Sequence, residues 1–151
     1  MARVELRRTG AIVLDADEML RREEFVGENC VWLGHRFIAY RIVDDVLVLD
    51  EALPLDTDHI ADACALFCEQ LDGDTYGGGE SASHGSYGFF FKRSAKGLDW
   101  ALFSRGSDPF VGVEVTPSEA RFRSQSGDVW IVERDEVNRI RIERRPSLAA
   151  R

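Results

Sequence analysis

The chain has 151 residues, 44% of them hydrophobic and 30% charged, a length and composition that fit one folded domain and exclude wholesale disorder. With 19 Lys and Arg against 27 Asp and Glu its formal net charge is −8, which excludes a general binder of nucleic acid or anionic membrane, because like charges repel. Three cysteines, an odd count, do not make a disulfide framework.

Residues 3–8 and 11–14 read as short strands at the N-terminus. Asp15-Ala-Asp-Glu18 has the spacing of a capping box and predicts a short helix over about 16–24. Residues 31–43 and 46–49 are rich in aromatic and β-branched side chains, and Asp44-Asp45 between them predicts a tight hairpin.

The main helix is expected over about 58–72, after Pro54 and before Gly73. Ile60, Cys64, Phe67, Cys68 and Leu71 fall on one apolar stripe at helical spacing, with Asp58, Asp62, Glu69 and Asp72 on the opposite face. Residues 73–88 hold six glycines, including Gly77-Gly78-Gly79, and read as a flexible loop. Strands follow at 87–92, 99–104, 110–115, 119–124, 128–133 and 137–143, separated by turn chemistry such as Thr116-Pro-Ser118 and Ser126-Gly127. Arg121-Phe122-Arg123 and Arg139-Ile140-Arg141-Ile142 alternate as antiparallel strands with one wet face do.

The expected fold is therefore α+β. A meander-rich antiparallel sheet of about seven to nine strands packs with one main amphipathic helix and a short N-terminal helix. Residues 1–145 form a single domain and 146–151 a flexible tail. No long apolar segment or signal sequence is apparent, so a soluble, cytoplasmic protein is expected.

Charge is segregated along the chain. Residues 1–43 carry seven basic and seven acidic side chains, and residues 81–151 carry twelve basic and nine acidic. Residues 44–80 carry eleven acids and no Lys or Arg. Such a run is either a solvated face or a docking surface for a basic partner.

Catalytic motifs are absent by pattern. Cys64 and Cys68 lie on the apolar stripe without a second ligand pair, so packing is expected rather than a metal site. Cys30 is likewise expected to pack. The glycine-rich segment lacks the Lys-Ser/Thr of a phosphate loop, and its own Asp74 and Glu80 would repel phosphate. Ser83-His84-Gly85-Ser86 places a histidine between hydroxyls, and His84 is the histidine to watch if the glycine-rich segment forms a lid. No calcium loop is spelled out, and no cofactor, metal or catalytic residue is assigned. Phe89-Phe90-Phe91, Trp32, Trp100 and Trp130 are expected in the core.

The stretch Trp100-Ala-Leu-Phe-Ser-Arg-Gly-Ser-Asp-Pro-Phe110, with Ser124-Gln-Ser-Gly-Asp-Val-Trp130, is similar in style to strand-turn-strand segments of bacterial toxin-immunity proteins. The small acidic profile resembles those cytoplasmic antidotes as a whole. The resemblance implies tight binding to a cognate toxin and carries over no functional residue. From the charge pattern, the surface expected to meet a basic toxin is Asp58, Asp62, Glu69, Asp72, Asp74 and Glu80. The competing expectations are an enzyme or small-molecule binder with a site beside residues 73–88, and a non-catalytic regulatory subunit.

Overall fold

The computed structural model describes residues 4–6, 11–14, 29–34, 36–52, 62–80, 87–134 and 136–146. They form strands joined by turns, with no helix among the described residues. In chain order the strands are β1 (Val4–Leu6), β2 (Ala11–Leu14), β3 (Cys30–Leu33), β4 (Arg36–Val43), β5 (Val46–Ala52), β6 (Asp62–Leu71) and β7 (Asp74–Glu80). They continue as β8 (Gly88–Ser94), β9 (Gly97–Ser104), β10 (Phe110–Val115), β11 (Glu119–Ser124), β12 (Val129–Glu133) and β13 (Ile140–Glu143).

All pairings are antiparallel, in the spatial order β1-β2-β6-β7-β8-β9-β3-β4-β5-β13-β12-β11-β10. The wall from β6 to β10 holds eleven strands and curls until β10 comes back against β6 and β7. The result is a nearly closed barrel, which removes most of the open edge that a flat sheet would expose.

The interior is filled with side chains. Phe90, Leu102, Phe110, Phe122, Trp130 and Ile140 point inward and are buried. Phe90 is the hub: it stacks on Phe122 and meets Phe110, Trp100 and Trp130 edge-on. Tyr40 is also inside, donating from its hydroxyl to the carbonyl of Phe103 at 2.9 Å. Alternation sends the neighbours of these residues outward. On β3, β4, β8 and β9 the outward Trp32, Phe37, Phe89, Phe91 and Phe103 are buried as well, so this part of the wall is covered on both faces.

Several sequence expectations hold. Phe89, Phe90, Phe91 and all three tryptophans are buried, as is Cys30. Asp44 and Asp45 take left-handed φ of 51° and 62° in the β4–β5 hairpin, as a two-residue turn of the mirror-image type requires.

The expected α+β fold is wrong, and the error lies in residues 58–80. The described part of the expected main helix is strand β6, paired with β7 from Cys64↔Glu80 to Leu71↔Asp74. A spacing of four residues is common to both periods, so Phe67 and Leu71 share a face in a strand as they would in a helix. A bulge between Ala65 and Phe67 then breaks the simple alternation that would have marked a strand. Cys68 accordingly lies exposed rather than in the core.

The expected flexible loop is, over its first half, strand β7. Its glycines are there for close approach. A Cβ on Gly77 would come within 2.8 Å of the Phe91 ring outside the barrel. One on Gly78 would meet the Phe89 carbonyl oxygen at 2.5 Å and the Phe67 ring inside at 3.0 Å. The expected N-terminal helix, residues 58–61 and the tail from residue 147 lie outside the described residues.

Candidate functional site: the polar mouth of the barrel

One end of the barrel carries the β6–β7, β8–β9 and β10–β11 turns and the end of β12. Just below that rim a row of partnered residues crosses five strands: Leu33, Trp100, Lys92, Tyr76 and Glu69. Cross-strand partners share a face, so the row lines the inner wall at the mouth. Lys92 is nearly buried there, with Nζ 3.5 Å from both Asp74 Oδ2 and Asp99 Oδ2 and 5.9 Å from the centre of the Tyr76 ring. An ammonium in so dry a place needs paired carboxylates, and the ring face adds to their attraction. Ser94 Oγ donates to Asp99 Oδ1 at 3.1 Å, holding that carboxylate in position. The indole N–H of Trp100 is buried and has no acceptor among the described residues.

Above the row lies a cleft of about 180 Å³. Its walls are Leu71, Asp72, Asp74 and Tyr76 from the β6–β7 hairpin, Thr116, Pro117 and Glu119 from the β10–β11 turn, and Arg134 after β12. The lining thus sets three carboxylates against one guanidinium. Asp72 and Arg134 both take left-handed φ, 52° and 49°, a conformation unusual without glycine. The Thr116 hydroxyl fixes the opposite lip, accepting from the backbone N–H of Ser118 and Glu119 at 3.3 and 3.2 Å.

Glu119 also starts a lattice of charges on the outer wall. Arg121 bonds Glu119 at 3.0 Å and Glu143 at 2.6 Å, while Arg141 bonds Glu133 and approaches Glu119 at 3.7 Å. These carboxylates raise the pKa of the Arg121 guanidinium, Glu119 most of all. Ile131, partnered with Arg121 on one side and Arg141 on the other, is fully buried on this outer wall. Long arginine stems on neighbouring strands can cover apolar surface while their charged heads stay wet.

The acidic residues expected to form one surface are divided by the fold. Asp72 and Asp74 stand at the mouth, and Glu69 is exposed on β6 in the row beside them. Glu80 is at the far end of β7, six strand steps or roughly 20 Å from Asp74. Asp62 begins β6, its side chain outside the described residues, and Asp58 is outside them altogether. Over the described residues the helix from which the stripe was argued is a strand, and Asp74 is engaged with Lys92. His35, His59 and His84 with its flanking serines also fall outside the described residues.

The structure adds to the mouth residues that the sequence did not single out. These are Tyr76, Lys92, Thr116, Glu119 and Arg134. Only the lone Lys ending Phe89-Phe90-Phe91 hinted at this, as an inward charge on an otherwise aromatic strand. Among the described residues no three His, Cys, Asp or Glu side chains gather as metal ligands, and no helix is long and apolar enough to cross a membrane.

The fold and the mouth define a small antiparallel β-barrel with a filled bore and a charged rim. Comparison with protein-family models, curated proteins and solved structures finds no match for the chain.

Proposed function

We propose that the protein is a binding module of the immunity type, which neutralises a bacterial toxin in the cytoplasm by seating a basic side chain of that toxin at the mouth of the barrel. The observation that carries this reading is the rim cleft, where Asp72, Asp74 and Glu119 face Arg134, with Asp74 and Glu119 already holding Lys92 and Arg121 and so shown to accept cationic side chains. A cleft of about 180 Å³ suits one side chain or a small polar group rather than a large ligand. The bore beneath is occupied by Phe90, Phe122 and Trp130, so recognition falls to the rim. Acidic residues around a cleft also steer a basic partner and speed its association.

The test begins with a tagged chain used to recover its partner from native lysate. Association is then timed at low salt for the wild type and for Glu69→Lys/Asp72→Lys. The reading expects a fall in association rate of at least about tenfold, at the modest end of what steering supplies. An unchanged rate refutes it.

A second reading, a binder of a small polar molecule in the same cleft, is favoured by the buried indole N–H of Trp100 in the row beneath it. Titration of tryptophan emission with candidate metabolites, in wild type and Trp100→Phe, separates the two.

A further inference from the structure

We infer that β10–β13 form a unit that two copies of this chain exchange, giving a dimer in which each barrel is completed by the other copy's C-terminal meander. Three observations lead there, and none depends on the rim's binding a partner.

The first is the pair of seams that bound the unit. Inside the meander the strands are well paired, through Phe122↔Trp130, Trp130↔Ile142 and their neighbours. At its β13 edge it meets β5 at one partnered position, Arg141↔Val46, with Ile142 N–H donating to the Asp45 carbonyl at 2.7 Å. Arg144 clasps this seam from outside, at 2.9 Å from Asp45 and 3.1 Å from Asp128. At the β10 edge no strand is hydrogen-bonded among the described residues, and Phe67, Leu71, Val113 and Val115 pack against the core where β10 meets β6 and β7.

The second is the hinge. Only residues 105–109 join β9 to β10. Within them Asp108 is left-handed, at φ 61°, directly before Pro109. A residue preceding proline favours extended backbone, so this conformation is strained twice over. Opening the hinge into an extended link relieves the strain, and short strained hinges invite exchange.

The third is what the meander covers. Phe122 stacks on Phe90 and Trp130 meets Tyr40 edge-on. A meander that merely swung away would expose these rings to water. A second copy of the chain offers the identical surface, so exchange restores every contact that opening breaks.

The experiment places cysteines across the β5 seam, Val46→Cys with Arg141→Cys, in a chain whose Cys64 and Cys68 are replaced by Ser. Antiparallel partners stand at a separation a disulfide can bridge. The protein is concentrated, its mass is measured by light scattering, and it is oxidised and run on denaturing gels without reductant. Exchange predicts a dimer whose chains become covalently linked to each other. Asp108→Gly, or Gly-Ser inserted after Gly106, should relieve the hinge and lower the dimer fraction at least about fivefold. A protein that is monomeric at every concentration overturns the inference. So does a dimer whose disulfides all close within single chains, because that dimer is assembled side by side. A dimer fraction indifferent to both hinge variants also overturns it.

Discussion

The Phe122 ring lies flat on the Phe90 ring, with centroids 4.0 Å apart and planes 11° from parallel. Phe90 comes from β8 and Phe122 from β11, so the contact spans the bore and ties opposite walls together. Both rings are fully buried. Phe122→Ala should destabilise the fold by about 3–5 kcal/mol, whereas Phe122→Leu should cost clearly less. Chemical denaturation of both variants checks the order, and equal losses would show that the stack is not specific.

Gly78 is pressed between a carbonyl and two phenylalanines. Gly78→Ala should cost about 1–3 kcal/mol, because the Phe89 carbonyl beside it is backbone that cannot step aside. Gly106 has open space around it and serves as the control, with Gly106→Ala expected to be neutral or slightly stabilising. Thermal melts of the two variants give the comparison.

Tyr40 carries a pH prediction. Burial raises its pKa far above the ordinary 10.0. In the unfolded chain the phenol ionises near that ordinary value, while in the folded chain it keeps its proton. The folded state therefore binds more protons above pH 10, and its stability falls as pH rises beyond that point. Tyr40→Phe should lose about 1 kcal/mol at neutral pH with the hydrogen bond to Phe103, and show a shallower alkaline decline. Denaturation midpoints between pH 8 and pH 11, compared for the two proteins, decide it.

Lys92 is the one buried cation of the described residues, set between Asp74 and Asp99. Lys92→Met keeps the stem and removes the charge, leaving two carboxylates facing each other at a narrow mouth. A loss of about 1–3 kcal/mol is expected, and restoring neutrality with Asp99→Asn should recover part of it. A double-mutant cycle measures that recovery, and simple additivity would mean the three groups act separately.

Arg144→Ala should lower stability by less than about 1 kcal/mol despite its two ion pairs, because the guanidinium and Asp45 are both about half exposed. Salt should shrink the difference between variant and wild type.

The C-terminal half was legible because each of its strands announces itself locally. Phe122 between two arginines and Ile140 and Ile142 between others show the period of two directly, and the turns at Thr116 and Gly127 are spelled by their residues. Residues 62–80 were not legible for two physical reasons. The bulge at Ala65/Phe67 disguises the strand period, and Ala, Leu, Glu and Gln in β6 prefer helix when judged alone. Gly77 and Gly78 look like loop residues until the rings that need the space are in place. That misreading carried directly to the site: a helix would have gathered Glu69 and Asp72 with Asp58 and Asp62, whereas the strand sets Asp72 and Asp74 at the mouth beside Glu119, more than forty residues away in sequence. No local pattern could have joined those residues, because the closure of the barrel does it.

A bore packed solid with aromatic rings separates two kinds of inheritance in this molecule. Substitutions at Phe90 or Trp130 are answerable to the fold, while those at Asp72, Pro117 or Arg134 sit on turns that the wall does not need. On the proposed reading, specificity at the rim is open to rewriting one turn at a time, without reopening the question of whether the chain folds.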